Sequence, residues 1–206
     1  MKLEHASTNR LEAFSDGVIA VIVTIMVLEL RVPHGDGWRG FAAVVPWLSI
    51  YLLSFAMVAI YWVNHHELCR RTEKISFPMV WANMGWLFSL SLIPFFTEYI
   101  GEKHFDAFST ALYGVIMVLT GGTYGLLRMS VVTRQKQSGT FEHADQAEAR
   151  KHAISLIFYA IAIPIALKSP HVALLLYVAV ALLWMTPAFG THTECEADEH
   201  PQGRSR

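Results

Sequence analysis

The chain has 206 residues, 53% of them hydrophobic and 16% charged, with 16 Lys and Arg against 17 Asp and Glu. That is more apolar material than a soluble domain of this size buries, so the surplus is expected to face lipid. A net charge of -1 gives nucleic acid no basic footprint, and the two cysteines, Cys69 and Cys195, are too few for a disulfide framework or a four-ligand zinc site.

Met1 to Arg10 is polar and lacks the basic start, short apolar core and cleavage site of a secretory signal, so the first apolar run is expected to stay in the mature protein. Six apolar segments follow, at about 14–30, 41–63, 77–98, 107–127, 153–168 and 171–189. Most reach the ~20 residues that carry a helix across a ~30 Å hydrocarbon core. The fifth is short and contains Pro164, and only Lys168 to His171 separate it from the sixth, which forces an antiparallel hairpin. The fold class expected is all-α: a polytopic membrane protein with a six-helix transmembrane domain over 1–190 and a polar, disordered tail over 191–206. Between the fourth and fifth segments, 135–151 is polar with interleaved Ala, a cytoplasmic helix or loop.

Lys and Arg in the connectors set the orientation. Twelve of the 16 fall on one side: Lys2, Arg10, Arg70, Arg71, Lys74, Arg128, Arg134, Lys136, Arg150, Lys151, Arg204 and Arg206. Arg31, Arg39, Lys103 and Lys168 fall on the other. Both termini are therefore expected in the cytoplasm, with the chain crossing the plasma membrane several times and both cysteines in a reducing compartment.

Arg10 and Asp16 lie within two turns of each other at the mouth of the first segment, where charge is costly unless paired. Taken singly, Ser15 or Asp16 reads as a helix-start residue and Arg10 as an interfacial anchor. Further along, Val21, Ile25 and Leu28 are spaced by four and three and share one helix face, with Ala20, Thr24 and Val27 beside it. Periodicity alone fits packing against lipid or against the bundle.

Arg10, Phe14, Ser15 and Asp16, within Arg10-Leu11-Glu12-Ala13-Phe14-Ser15-Asp16-Gly17-Val18, change that balance. The pattern resembles the R-x-x-x-F-S-D signature that opens the first helix of the transmembrane protein 175 family of potassium channels. The likeness continues in Val27-Leu28-Glu29-Leu30, Tyr61-Trp62-Val63-Asn64-His65-His66 and Ser89-Leu90-Ser91-Leu92-Ile93-Pro94-Phe95, in family order. It is clear over the first half of the chain and topological over the second.

The resemblance implies a potassium-permeable channel, a homotetramer of six-helix subunits with one pore lined by the first helix of each. On the matching positions it places an apolar constriction at Val21, Ile25 and Leu28, with Thr24 where some members put a hydroxyl, and potassium passing along the axis near those rings. The innermost ring, usually Ile or Leu, is the smaller Val21, which bears on the width and leak of the gate. An apolar ring gates by dewetting and favours the ion that sheds water at least cost, hence potassium over sodium. Arg10, Phe14, Ser15 and Asp16 then hold the pore, with Asn64, His65 and His66 as expected partners from the cytoplasmic end of the second segment. Glu29 either draws cations to the external mouth or merely sits at the interface.

Thr120-Gly121-Gly122-Thr123-Tyr124-Gly125 looks superficially like a Gly-Tyr-Gly filter, but it lies in a continuous apolar run without a re-entrant loop, so close helix packing explains it better. His192, Cys195 and His200 lack a scaffold for metal. No triad, paired carboxylates or phosphate loop points to catalysis, so the chain is expected to be no enzyme and to need no cofactor. The alternatives are a secondary transporter, proton-coupled through the histidines and Glu29, or a non-conducting membrane scaffold.

Overall fold

Four of the eight prolines sit in the first turn of a helix, where the missing N–H has no partner to lose and the fixed φ already suits the turn. Pro46, Pro78, Pro94 and Pro170 open α3, α4, α5 and α8 in this way. The computed structural model describes residues 8–30, 32–33, 35–72, 75–138 and 144–186, and it is helical without strands throughout that range. In chain order the helices are α1 (Thr8–Leu28), α2 (Gly37–Ala42), α3 (Val45–Arg70), α4 (Phe77–Ser91), α5 (Ile93–Glu102), α6 (Ala107–Ser138), α7 (Ala144–Ala166) and α8 (Pro170–Met185).

The all-α membrane architecture expected from the sequence is present. Five spans are long and apolar enough to cross a bilayer, α4 and α5 together making one of them, and α8 adds a shorter apolar helix of 16 residues. The boundaries differ instructively. The second segment does not stop near 63 but runs to Arg70, because Glu67 pairs with Arg70 at 2.9 Å and with Arg71 at 2.7 Å and carries the helix on past the apolar stretch. The third is not continuous. Pro94 has no N–H to give to Leu90, so the helix ends at Ser91 and restarts at Ile93. The hydroxyls of Ser89 and Ser91 bond back to Trp86 and Phe88 carbonyls at 2.8 and 2.7 Å at this break. The fifth begins at Ala144 rather than near 153, and Pro164 is accommodated inside its last turn. The proposed tail, with His192, Cys195 and His200, lies outside the described residues.

α6 is the spine, packed on α4, α5, α7 and α8, while α1 lies against α3, α4 and α5. Small residues let α6 approach its neighbours: an added Cβ on Gly114 would collide with the Tyr177 hydroxyl, and one on Gly125 would come within 2.8 Å of His152 Nε2. The Thr120–Gly125 stretch is thus uninterrupted helix whose glycines serve packing. Between these helices stand buried rings of Tyr61, Trp86, Tyr124, Tyr113, Tyr159 and Tyr177, with neighbouring centroids 5.6 to 6.2 Å apart.

Candidate functional site

Leu11, Ser15, Ile19, Ile22 and Met26 recur at intervals of four and three along α1 and are all buried against the subunit's own helices. The opposite face is left uncovered in a single chain: Phe14 is 53% exposed, Val21 55%, Ile25 41% and Leu28 81%. The sequence stripe Val21–Ile25–Leu28 is therefore the outward face, with exposed Thr24 bonding back to the Val21 carbonyl at 2.8 Å. What fixes the rotation of α1 is polar.

Ser15 is the one polar residue of the buried face, and it sits in a directional chain of hydrogen bonds. Its hydroxyl donates to the Leu11 carbonyl at 2.9 Å and accepts from the Asn83 amide at 2.9 Å. Asn83 Oδ1 can only accept, so His65 Nε2, 3.0 Å away, carries the proton. The other ring nitrogen then accepts, and the Cys69 sulfur lies near the ring at 3.6 to 3.9 Å. Ser15, Asn83 and His65 are all buried, and Trp86 stacks on the imidazole at 4.8 Å with an interplanar angle of 17°. A chain of buried donors and acceptors satisfied in one register resists rotation or sliding of α1, because any slip strands polar groups where water is scarce.

Around this buried chain run three half-exposed ties. The Trp62 indole N–H donates to Asp16 Oδ1 at 2.9 Å, and its ring stacks on His66. His66 Nδ1 meets Glu12 Oε1 at 2.7 Å. The Thr8 hydroxyl donates to the Thr72 carbonyl at 3.0 Å. Thr8, Glu12 and Asp16 of α1 are thus tied to the charged end of α3 and the residues just after it.

Of the sequence-derived supporting residues, Ser15, Asp16, His65 and His66 come together here. The others do not. Asn64 is rotated away, lining a small cavity with His152, Tyr124 and Trp184 between α3, α6, α7 and α8. Arg10 is exposed, with no contact to Asp16, and Phe14 points outward rather than into the subunit. Sequence reasoning missed Asn83, Trp62 and Glu12. Asn83 was findable as a lone amide in the apolar run 77–98, where a polar side chain signals a job by default. Trp62, near the end of an apolar run, gives no signal in the sequence that its indole N–H meets Asp16.

Beside the exposed face of α1 opens a groove of about 670 Å3, lined by Phe14, Gly17, Val21 and Ile25 on one side and by Ser91, Pro94 and Phe95 at the α4–α5 break on the other. An added Cβ on Gly17 would meet nothing within 4 Å, so this wall is open. Glu29 also lines the groove, just beyond the end of α1. Interaction with the Glu98 side chain, then partial burial, then the like charge of Glu98 push Glu29 up to about 7.

Comparison with known proteins finds one family. The profile described as endosomal/lysosomal potassium channel TMEM175 matches residues 10–94. A potassium channel of Chryseobacterium sp. strain P1-3 is 39% identical over 178 residues, 86% of this chain and 92% of its own length. A potassium channel of Streptomyces collinus is 32% identical over 119 residues, 54% of this chain and 58% of its own. Among solved structures, a lysosomal potassium-selective channel TMEM175 homolog from Chamaesiphon minutus superposes with a TM-score of 0.71 at 24% identity, over 86% of this chain and 96% of that one. The profile ends at Pro94, in the first turn of α5.

Proposed function

The chain belongs to the TMEM175 family of potassium channels, and we propose that four copies surround one axis and conduct potassium along it without cofactor or catalysis. In this reading Val21, Ile25 and Leu28 of each α1 line the narrowest part, Thr24 flanks it, and Glu29 stands at the outer mouth. The termini and the Trp62–Asp16 and His66–Glu12 ties lie on the cytoplasmic side of the plasma membrane.

The observation that carries the reading is the direction in which α1 is held. A buried polar chain through Ser15, Asn83 and His65 sets its rotation, and that rotation leaves three stacked apolar side chains uncovered. Lipid would cover such a face without any need for register. A rigid polar mounting is warranted where the uncovered face must be placed to a fraction of an ångström, as around a pore. From Val21 to Leu28 the helix rises about 10 Å, so four copies would build an apolar throat that long, with the rings dewetting when narrow and passing the less tightly hydrated cation when wide.

The test is ion flux from purified protein in potassium-loaded vesicles. A channel runs down the gradient fast and without a co-ion, and Ile25→Asn, which puts an amide in the middle ring, raises leak or lowers selectivity. A requirement for a co-transported ion, or indifference to Ile25→Asn, Val21→Ala and Leu28→Ala alike, overturns the reading.

A further inference from the structure

Of the stretch Tyr61-Trp62-Val63-Asn64-His65-His66, the ties to α1 and α4 use Trp62, His65 and His66 and leave Asn64 aside. An amide within a membrane span needs partners, because lipid offers none. Among the described residues no group hydrogen-bonds the Asn64 side chain. It lines instead a small cavity, with Tyr61 of α3, Tyr124 of α6, and His152, Ser155 and Tyr159 of α7. Tyr61 and Asn64 lie one turn apart on one face of α3, as do His152, Ser155 and Tyr159 on α7, so polar groups converge from both helices. Gly121 keeps the space open: an added Cβ there would come within 2.8 Å of the Leu156 side chain and 3.3 Å of the Tyr61 hydroxyl. The cavity has about 20 Å3 of room, and one water needs ~10–15 Å3 on the same measure, so it takes one water and nothing larger. Its walls hold no carboxylate to offset the dehydration of a cation.

The polar groups around it have capacity left. Ser155 Oγ accepts from the Trp184 indole at 2.8 Å and donates to the Lys151 carbonyl at 2.9 Å, which leaves one lone pair. The Tyr159 hydroxyl donates to the Met57 sulfur at 3.3 Å and keeps its lone pairs. His152 Nε2 is buried without a hydrogen bond. Asn64 brings two donors and an acceptor oxygen, so a water between these groups finds both the donors and the acceptors it needs.

We propose that this cavity is a binding site for one structural water, held by the Asn64 amide together with Ser155 and His152, which ties α3 to α7. The tie falls where direct packing is thin. α3 lies close to α1, α5 and α8, but meets α6 and α7 through the Tyr61–Tyr124 ring contact and the Met57 sulfur. The water then steadies, from behind, the helix whose other face carries the mounting of α1. A bridging water is nearly as good as a direct hydrogen bond and satisfies Asn64 where no protein group does.

The test is a density map of the full chain in lipid nanodiscs at a resolution that shows ordered water. One peak is expected within hydrogen-bonding distance of the Asn64 amide and of at least one of Ser155 and His152. In Asn64→Leu, which fills similar space without polar atoms, that peak is lost. A cavity without a peak, an Asn64 side chain turned out of it, or a peak that survives Asn64→Leu overturns the proposal. Solid-state nuclear magnetic resonance of the full chain in bilayers gives a second reading. The chain has three asparagines, Asn9, Asn64 and Asn83, so isotope-labelled asparagine reports on those side-chain amides alone. The Asn64 amide, identified by its loss in Asn64→Leu, is expected to take up magnetisation from water several-fold faster than the Asn83 amide, which is buried against Ser15 and His65. Equal rates for Asn64 and Asn83 overturn the proposal. Neither readout depends on ions passing along α1.

Discussion

Replacing Asn83 with Ala tests whether the buried polar chain really mounts α1. Asn83 is fully buried and makes two hydrogen bonds, 3.0 Å to His65 and 2.9 Å to Ser15. Inside a membrane protein each such bond is worth about 0.6 kcal/mol on average. Two of them account for little more than 1 kcal/mol. The larger consequence is on His65, whose Nε2–H is left without an acceptor in a site walled by Trp86, at about 1–3 kcal/mol. Ser15 suffers less because its hydroxyl keeps the Leu11 carbonyl at 2.9 Å. The sum is about 2–4 kcal/mol, most of it from the stranded imidazole. The measure is reversible unfolding in mixed detergent micelles followed by circular dichroism, with Asn64→Ala, which faces the other way, expected below about 1 kcal/mol. A double-mutant cycle with His65→Ala sharpens the result: with the orphan removed, the pair should cost about 1–2 kcal/mol less than the sum of the singles. Strict additivity, or an Asn83→Ala cost no larger than that of Asn64→Ala, would refute the mounting.

Two glycines of α6 separate packing from helix propensity. Gly114→Ala drives a methyl into the buried Tyr177 hydroxyl and against Ile163 and should cost about 1–3 kcal/mol in the same unfolding assay. Gly122→Ala meets nothing within 4 Å and should be neutral or stabilising by up to about 1 kcal/mol. Trp62→Phe keeps an aromatic ring beside His66 but deletes the N–H that Asp16 accepts. On native gels it should lower the share of oligomer while leaving helical content unchanged. Leu28→Ala trims the most exposed of the three stripe residues, so it should change flux in vesicles and leave unfolding of the subunit within about 0.5 kcal/mol.

Much of this arrangement was legible from residues alone. Apolar runs gave the all-helical membrane fold because lipid leaves the backbone no other choice. The face of α1 carrying Val21, Ile25 and Leu28 followed from spacing, though whether that face turned inward or outward did not. Only the placement of Ser15 against Asn83 decides it, and that contact joins residues 68 positions apart. Helix ends were misjudged wherever polar residues continue a helix beyond the apolar stretch, as from Asn64 to Arg70, since hydropathy marks the membrane and not the helix. The break at Leu92 was signalled by Pro94 but read as part of a family stretch. Arg10 shows the converse, a motif residue whose expected partner, Asp16, is satisfied by an indole instead.

The central claim is that residues 21, 25 and 28 of several chains face one another around a shared axis. A density map of the purified protein in lipid nanodiscs tests it most directly. Four chains related by one axis, with Ile25 side chains pointing at it and the Ser15–Asn83–His65 chain intact behind them, is the expected result. Acyl-chain density packed against Ile25 and Leu28, or a solitary subunit, would contradict it.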